Sequence, residues 1–202
     1  MIWVADRDRR RVLTLDRPDK RNALTADMLS ALRDAVVAAG QDDGVHAVIL
    51  TGAGTVFSAG ADLDAARSGL ATSPVWESLS HAVADCPVPT VAALNGTAAG
   101  GSLGMVLACD LRIATAETTI FYPVMALGFR PQPSDPVRLT RLAGRGLAAR
   151  LFLAGERIVA SDLKGLIDRI DADTLGAAFE MTDAAARADR QHVIDLKAAL
   201  RC

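Results

Sequence analysis

The stretch Asn95-Gly-Thr-Ala-Ala-Gly-Gly-Ser-Leu-Gly-Met-Val-Leu-Ala-Cys-Asp110 carries the clearest structural signal in this chain. It follows an apolar run at residues 88–94, passes through a glycine pair and continues as an apolar helical segment. In this order, the backbone N–H groups of a helix N-terminus can face an anion. A second loop, Phe57-Ser-Ala-Gly-Ala-Asp62, follows another strand-like run at residues 47–51. The first segment therefore predicts backbone amides that face an anion, and the second repeats the order of a strand-like run followed by a glycine-containing loop.

Composition and charge limit the classes of protein to which this sequence can belong. At 202 residues, of which 50% are hydrophobic, one domain with a substantial core is expected. The net charge of −2 gives no reason to expect nucleic acid binding. No apolar run approaches the ~20 residues that span a bilayer, so no membrane association is expected. The first residues do not resemble a secretion signal, and we therefore expect a soluble cytoplasmic protein.

The residue spacings do not indicate a metal site or a nucleotide loop. Cys86, Cys109 and Cys202 have no metal-ligand spacing and indicate packing roles in a reducing compartment. The three histidines do not pair on one helix face, so no metal is expected. The Gly52-x-Gly54 pair lacks both the third glycine and the immediate helix of a dinucleotide-binding loop.

The only dense basic cluster of the sequence lies near the N-terminus, at Arg7, Arg9, Arg10 and Arg11. These arginines alternate with two aspartates ahead of a predicted strand. Such alternation is typical of a solvated edge, and a role near substrate phosphates is the lesser alternative.

Hydrophobic periodicity predicts short strands that alternate with helices. Thr25 can cap a helix over residues 26–39, with Gly40 as its C′ residue. Ser161 can cap a short helix that ends near Gly165, and one helix is predicted over residues 174–200. Strands are predicted at residues 12–15, 45–51, 88–94, 111–114, 119–121 and 166–170, and further helices at 78–84, 103–108, 138–142 and 147–153. The alternation predicts an α/β fold with right-handed crossovers.

Seven short motifs, taken in order and spacing, resemble the crotonase (enoyl-CoA hydratase/isomerase) superfamily over about residues 10–170. Each motif is weak alone, whereas their common order is specific. The motifs are Arg17-Pro18 with Arg21-Asn-Ala-Leu24, Val48-Ile-Leu-Thr-Gly52, Phe57-Ser-Ala-Gly-Ala-Asp62, Pro87-Val-Pro-Thr-Val-Ala-Ala-Leu-Asn-Gly96, Cys109-Asp110, Leu127-Gly128 and Gly165-Leu-Ile-Asp168. The resemblance implies a crotonase-like spiral of ββα units, with two sheets at a steep angle, and a short C-terminal helical segment.

The same resemblance implies a site for an acyl-CoA thioester. The family stabilises thioester enolates with two backbone N–H donors, which correspond by position to Ala61 and Gly101. CoA would be part of the substrate, and no tightly bound cofactor is expected. The positions implied in binding the CoA thioester are Arg21, Ala23, Leu24, Ala61, Asp62, Leu63, Asp64 and Gly101.

Two positions depart from the family's pattern. Aligning the glycine loop places Gly104 where hydratases carry one glutamate. Aligning Tyr122-Pro-Val-Met-Ala-Leu-Gly128 places Val124 where they carry the second. The next turn is replaced by the stiffer Pro131-Gln-Pro-Ser-Asp-Pro136. The pair of acids that activates water is therefore predicted to be missing.

Other polar residues near these positions are candidates for chemistry. Tyr122 either packs with a satisfied hydroxyl or takes part in catalysis. Asp135, in the proline loop, either caps the backbone or supplies an acid. Arg130 can pair with a carboxylate or phosphate of the CoA substrate, or point to solvent. Ser102 is expected to satisfy local backbone groups rather than act as a nucleophile.

The same alignment suggests how the chain is organised. Residues 1–172 are expected to form the crotonase-like core and residues 173–202 a truncated trimerisation region. A homotrimer or hexamer is expected from the family. The acyl pocket is expected to have an apolar lining of Ala98, Leu103, Val124 and Met125, which favours an acyl chain.

Three functions remain open on the sequence. The chain can be an enzyme whose chemistry needs no glutamate pair, such as decarboxylation of a malonyl-type thioester. It can be a non-catalytic acyl-CoA binder or a partner subunit. The least favoured alternative is an ordinary hydratase or isomerase that uses a replacement acid such as Asp135.

Overall fold

Ten strands form two sheets within residues 1–200, the part of the chain that the computed structural model describes. Cys202 lies outside the described residues. The larger sheet has the order β1-β2-β3-β5-β7-β10 and the smaller one β4-β6-β8-β9. The strands are β1 (Ile2–Arg7), β2 (Arg10–Leu15), β3 (Ala47–Gly52), β4 (Val56–Ser58), β5 (Thr90–Leu94), β6 (Thr97–Ala99), β7 (Leu111–Ala114), β8 (Thr119–Phe121), β9 (Ile158–Val159) and β10 (Arg169–Ile170).

Helices and short 3₁₀ turns connect these strands. The helices are α1 (Ala26–Gln41), α2 (Leu63–Arg67), α3 (Val75–Asp85), α4 (Leu103–Ala108), α5 (Val124–Leu127), α6 (Asp135–Phe152), α7 (Thr174–Met181), α8 (Asp183–Arg187) and α9 (Arg190–Ala199). The 3₁₀ turns are at Pro18–Lys20, Leu70–Thr72, Gly100–Ser102 and Ala160–Asp162. No helix of residues 1–200 is both long and apolar enough to cross a membrane.

The chain alternates between the two sheets in a regular way. β3, β5 and β7 belong to the larger sheet, and the strand after each of them, β4, β6 or β8, belongs to the smaller one. After β4 and β6, helical segments lead back to the larger sheet, whereas after β8 the helices lead to β9 of the smaller sheet. All neighbouring strands are parallel except the β1–β2 and β8–β9 pairs. The predicted α/β fold of ββα units is therefore confirmed.

Helix α1 begins as predicted and ends later than predicted. Thr25 is its N-cap, and the Thr25 side chain accepts a hydrogen bond from the Met28 amide. Gly40 is not the C′ residue, because the helix continues to Gln41 and Asp42 is the C-cap. A Cβ on Gly40 would lie 2.7 Å from Cδ of Pro87. The glycine therefore serves the close approach of the next segment rather than a helix end.

The N-terminal arginine cluster is not a simple solvated edge. Strand β1, which the sequence did not predict, pairs with β2 in an antiparallel hairpin. Arg10 is 5% exposed, and its guanidinium donates to Thr182 Oγ1 at 3.0 Å and to the Phe179 carbonyl at 3.0 Å. The prediction was wrong for Arg10, because its contacts come from residues about 170 positions later in the chain.

The C-terminal segment folds back on the larger sheet as three helices, not as the single predicted helix. Ala177 and Ala178 of α7 are buried against Ile49, Val91 and Ile113 on one face of that sheet. The predicted helix at Ser161 is also wrong, because this residue lies inside the 3₁₀ turn Ala160–Asp162. The predicted interruption between the helices at residues 138–142 and 147–153 is confirmed, because Gly144 inside α6 has non-helical angles of φ +80° and ψ 161°.

Candidate active site

The loop at residues 57–62, called the first loop from here on because it precedes the loop at residues 95–101 (the second loop) in the chain, is held by backbone hydrogen bonds on both sides. After β4, the Leu24 amide donates to Gly60 O at 2.8 Å, and the Asp62 amide donates to Leu24 O at 2.9 Å. Gly60 has φ +92°, and a Cβ there would lie 2.7 Å from Ala99 O. Because Gly60 has no side chain, the loop after β4 can approach the loop after β6 closely.

The indole ring of Trp76 packs against the second loop. A Cβ on Gly101 would lie 3.0–3.2 Å from ring atoms of Trp76, so the indole packs directly on this glycine. Trp76 Nε1 donates to Leu70 O at 2.8 Å, which fixes the ring. Ser102 donates from Oγ to Ala99 O at 2.8 Å and, as predicted, satisfies the local backbone. The position of Gly101 is thus set by packing as well as by the turn.

A cavity of about 170 Å³ lies between the two loops. Ala61 lines it from the first loop, and Gly101 lines it from the second. Among the backbone hydrogen bonds that join turns and loops of residues 1–200, none uses the amide of Ala61 or Gly101 as donor. The rest of the lining is mostly apolar, with Ala59, Leu63, Ala66, Ala71, Trp76, Gly100, Tyr122, Pro123, Val124, Leu127, Phe129, Arg130 and Gln132.

A second, more open groove of about 510 Å³ adjoins this cavity. Val124, Phe129 and Arg130 line both spaces. The groove continues along α6 over Ala149 to Leu153, and its lining is largely apolar. Arg130 therefore lies where the inner cavity meets the outer groove.

The predicted acyl lining is only partly correct. Val124 lines the inner cavity, whereas Met125 lines the outer groove only. Ala98 and Leu103 are 0% and 1% exposed and belong to the hydrophobic core instead. They were assigned to the lining because they flank the glycine pair in sequence, but their side chains point away from the cavity into the core.

Tyr122 and Asp135 form a buried polar pair beside the inner cavity. The Tyr122 hydroxyl donates to Oδ2 of Asp135 at 3.0 Å, and the Gln132 amide donates to the same hydroxyl at 3.4 Å. Asp135 is 0% exposed, and its Oδ1 has no hydrogen-bond partner among the described residues. Asp135 does not cap the backbone; it lies in the first turn of α6 with its side chain turned inward.

Burial sets the protonation behaviour of this pair. The pKa of Asp135 is raised to about 7: desolvation is the main cause, the negative charge of Glu77 adds to it, and the Tyr122 hydroxyl and Arg138 act in the opposite direction. Desolvation and the charge of Asp135 raise the pKa of Tyr122 well above its usual range. Tyr122 therefore stays protonated, while Asp135 can titrate near neutral pH.

Gly104 of α4 lies directly beside Asp135 of this pair. A Cβ on Gly104 would lie 2.6 Å from Ser80 Oγ and 3.2 Å from Asp135 Oδ1. Ser80 Oγ is buried and, like Asp135 Oδ1, has no hydrogen-bond partner among residues 1–200. The space beside residue 104 thus already holds a carboxyl, which comes from α6 rather than from α4.

The residues implied in binding CoA lie in different environments. Arg21 is exposed and follows the 3₁₀ turn Pro18–Lys20, with φ +51°. Ala23 is half-buried, and its carbonyl accepts from the Arg17 guanidinium at 3.2 Å. The Leu24 side chain is fully buried in the core, so only its backbone meets the site.

Three further predicted positions follow directly after the first loop. Asp62 caps α2 and forms an ion pair with Arg17 at 2.8 Å. Leu63 is 72% exposed and lines the inner cavity. Asp64 is exposed and pairs with Arg67 at 3.3 Å.

Sequence reasoning missed the residues that come from α3. Trp76 packs on Gly101, and Ser80 lies beside Gly104. Glu77 accepts from the Ser134 amide at 3.4 Å and pairs with His81 at 3.1 Å. Trp76 was one of only two tryptophans and could have been noticed. Nothing in the sequence, however, shows that α3 lies against α4, because that contact is tertiary.

No group of three or more His, Cys, Asp or Glu side chains in the described chain could hold a metal.

Comparison with protein families gives one match that covers almost the whole chain. The family model described as "Enoyl-CoA hydratase/isomerase" matches residues 11–202. Its match includes the C-terminal helices, which the sequence motifs did not reach. Among curated proteins, the chain is 36% identical over 198 residues to "Probable enoyl-CoA hydratase EchA14" of Mycobacterium tuberculosis, covering 94% of this chain and 77% of that protein.

A further relative has a different named activity, and two solved structures have the same fold. The chain is 33% identical over 180 residues to 4-chlorobenzoyl coenzyme A dehalogenase-2 of an Arthrobacter species, covering 84% of this chain and 65% of that protein. A crystal structure of an enoyl-CoA hydratase from Mycobacterium marinum is 28% identical, with a TM-score of 0.90 and coverage of 98% of both chains. An enoyl-CoA hydratase/isomerase from Pseudoalteromonas atlantica is 29% identical, with a TM-score of 0.91, covering 99% of this chain and 82% of that chain.

Proposed function

This chain belongs to the enoyl-CoA hydratase/isomerase (crotonase) family, and from that premise we propose that it binds an acyl-CoA thioester and stabilises the thioester enolate. The observation that carries this proposal is the shared cavity of Ala61 and Gly101, whose amides take no part in the loop hydrogen bonds of the described chain. The names of two relatives, an enoyl-CoA hydratase and a 4-chlorobenzoyl-CoA dehalogenase, also support CoA thioesters as the substrate class.

The two amides would act on the thioester carbonyl oxygen. This oxygen gains negative charge when the α-carbon is deprotonated, decarboxylated or attacked at its conjugated position. Two preorganised N–H donors in an apolar cavity stabilise that charge, and removal of one such donor typically costs ~3 kcal/mol. The packing of Trp76 on Gly101 and the short approach of Gly60 to Ala99 supply the rigidity that preorganisation needs.

The cavity does not favour ordinary hydration of a double bond. Gly104 and Val124 stand where the family's hydratases carry their two glutamates, and the cavity lining is mostly apolar. A water poised for attack needs roughly 2–4 polar partners, which this lining does not offer. Decarboxylation of a malonyl-type thioester needs no base, because carbon dioxide leaves and the enolate remains for the amides to stabilise.

The second candidate function is a non-catalytic acyl-CoA binder or a partner subunit. The missing glutamates favour this second candidate, because a cavity that lacks these acids can bind a thioester without converting it. Turnover decides between the two candidates, whereas binding is common to both.

The proposal is tested with CoA, butyryl-CoA, crotonyl-CoA and malonyl-CoA on the purified protein. Calorimetry should show tighter binding of butyryl-CoA than of CoA. Crotonyl-CoA hydration should be near background, because each missing acid–base group typically costs 10²–10⁴-fold. Release of carbon dioxide from malonyl-CoA would select the enzyme, and tight binding with no turnover would select the binder.

A matched pair of variants tests the role of the second loop. Gly101→Ala places a Cβ against Trp76 and should weaken butyryl-CoA binding at least tenfold. Gly146→Ala, where a Cβ meets nothing within 4 Å, should leave the binding unchanged. Equal affinity of the protein for CoA and butyryl-CoA, or no binding of either, would contradict the proposed function.

A further inference from the structure

One wall of the inner cavity leads to a carboxyl group that solvent does not reach. Tyr122 lines the cavity, and its hydroxyl donates to Oδ2 of Asp135 at 3.0 Å. Asp135 is fully buried and does not itself line the cavity, so its connection to the cavity runs through Tyr122. Its Oδ1 and the neighbouring Ser80 Oγ have no hydrogen-bond partner among residues 1–200. A buried carboxyl with an unused oxygen is costly for stability, and such groups are concentrated at functional sites.

We propose that Tyr122 and Asp135 are a proton-relay pair that exchanges the α-proton of the bound thioester. This inference rests on the proposed function, because the relay needs an enolate stabilised by the amides of Ala61 and Gly101. Tyr122 is the catalytic residue, since it lines the cavity and its hydroxyl would accept the substrate proton. Asp135 is a positioning and proton-accepting residue that acts through Tyr122.

The proton transfer balances without a further reactant. The α C–H bond breaks, its electron pair forms the enolate, and the α-proton moves to the Tyr122 hydroxyl oxygen. At the same time the original hydroxyl proton moves along the existing hydrogen bond to Oδ2 of Asp135. The carboxylate becomes a carboxylic acid, and the tyrosine is unchanged. The reverse transfer starts from the protonated carboxyl group, protonates the enolate carbon and leaves the carboxylate. Water in the cavity replaces this proton by way of the Tyr122 hydroxyl, so the same pair completes a decarboxylation and brings solvent deuterium to the α-carbon.

The geometry of Tyr122 suits this role. Its ring packs against Phe152 with centroids 5.2 Å apart, which restricts its movement. Its hydroxyl donates to Asp135 and accepts weakly from the Gln132 amide, so one lone pair remains for the substrate proton. A free phenolate is not required, because the proton leaves the hydroxyl as the other arrives.

The surroundings of Asp135 match a base that works at neutral pH. Burial raises its pKa to about 7, so the carboxylate is a stronger base than an exposed aspartate and is still populated at pH 7. The charged groups that act on it are Glu77 of α3, which is itself paired with His81, and Arg138 of α6. Glu77 and Arg138 have opposite effects on this pKa, so burial remains the dominant cause.

The test is deuterium exchange at C2 of butyryl-CoA in D2O, followed by mass spectrometry over pH 5–9. The wild-type protein should exchange the α-protons, with a rate that rises about tenfold per pH unit below pH 7 and is level above it. Tyr122→Phe and the isosteric Asp135→Asn should each lower the rate 10²–10⁴-fold. The residual rate of Asp135→Asn should also lose the change of slope near pH 7. Asp162→Asn, an exposed aspartate in a 3₁₀ turn, is the matched control and should exchange like the wild type.

Calorimetry with butyryl-CoA on every variant separates this inference from the proposed function. Bound butyryl-CoA with no exchange in the wild type would overturn the relay and leave the binder function standing. Unchanged exchange in Tyr122→Phe, or an unchanged pH profile in Asp135→Asn, would also overturn it. Loss of butyryl-CoA binding by the wild type would instead overturn the proposed function, and the relay with it.

Discussion

The carboxyl group of Asp135 lies so close to Gly104 that a Cβ on the glycine would be 3.2 Å from Oδ1. Ser80 Oγ would be closer still, at 2.6 Å. The sequence motifs predict that Gly104 stands where the family's hydratases carry a glutamate, and a carboxyl from α6 lies beside this position. A side chain at position 104 would therefore compete with the Ser80 hydroxyl and the Asp135 carboxyl for the same space.

This steric relationship predicts the effect of a small substitution. Gly104→Ala should lower the free energy of unfolding by ~1–3 kcal/mol, because the methyl group forces Ser80 and Asp135 to shift in a packed core. The control is Gly146→Ala, an exposed position in α6 where the alanine meets nothing and should stabilise the helix by up to ~1 kcal/mol. Urea unfolding measures both changes. Equal stability of the two variants would show that the space beside Gly104 is not filled.

The raised pKa of Asp135 predicts a pH dependence of stability. The folded protein keeps the Asp135 proton up to about pH 7, whereas the unfolded chain releases it near pH 4. The stabilisation is therefore complete below about pH 4 and is lost as the pH rises to about 7, by roughly 1.4 kcal/mol per pH unit. Asp135→Asn has no such proton, so the wild type should lose stability relative to this variant over that range. Urea unfolding from pH 4 to pH 8 measures the difference, and a pH-independent difference would contradict the burial of the carboxyl.

Most features that depend on neighbouring residues in sequence were predicted correctly, although the helix end at Gly40 and the helix at Ser161 were not. Contacts that arise only from tertiary packing were not predicted. The cap at Thr25, helix α4 at residues 103–108 and the break at Gly144 follow from local sequence, and the structure confirms them. The hairpin strand β1 was missed, because its exposed residues lack a clear alternation of apolar side chains. Trp76 and Ser80 reach the site only because α3 packs on α4, a contact that no local pattern encodes.

The buried guanidinium of Arg10 predicts coupling between the two ends of the chain. It donates to Thr182 Oγ1 and to the Phe179 carbonyl, so its loss removes two hydrogen bonds that hold the chain around α7 and α8 to β2. Arg10→Met should lower the free energy of unfolding by ~2–4 kcal/mol and speed amide hydrogen exchange in α7 and α8. Arg33→Met in α1 is the control; in the described chain the Arg33 guanidinium pairs only with the neighbouring Asp34, and its change should stay within ~0.5 kcal/mol. Similar losses in both variants would mean that Arg10 does not anchor the C-terminal helices.

Exposed apolar side chains in α9 and at its C-cap predict that the protein forms an oligomer. Leu196 is 57% exposed and Leu200 is 84% exposed, beside a largely apolar groove of about 460 Å³ that includes Leu111. We expect a trimer or a pair of trimers in light scattering, with Leu196→Asp shifting the protein toward smaller species. Val37→Asp, at a half-exposed position of α1, is the control and should leave the mass unchanged. A monomeric wild-type protein would contradict this expectation.

The inner cavity and the outer groove should determine how the affinity for an acyl-CoA depends on the length of its acyl chain. A short chain can occupy the inner cavity alone, whereas a longer one must pass Val124 and Phe129 into the outer groove along α6. Each buried CH2 contributes up to about 0.8 kcal/mol, so affinity should rise as much as fourfold per carbon until the chain leaves the apolar lining. Ala149→Trp fills the outer groove and should abolish the rise for long chains while leaving the affinity for butyryl-CoA unchanged. Arg141→Trp, at an exposed position of the same helix outside the groove lining, should leave the whole series unchanged. Calorimetry on acyl-CoAs of increasing length measures these affinities. If a long-chain acyl-CoA binds normally to Ala149→Trp, its chain leaves the inner cavity by another route, and the outer groove is not its binding site.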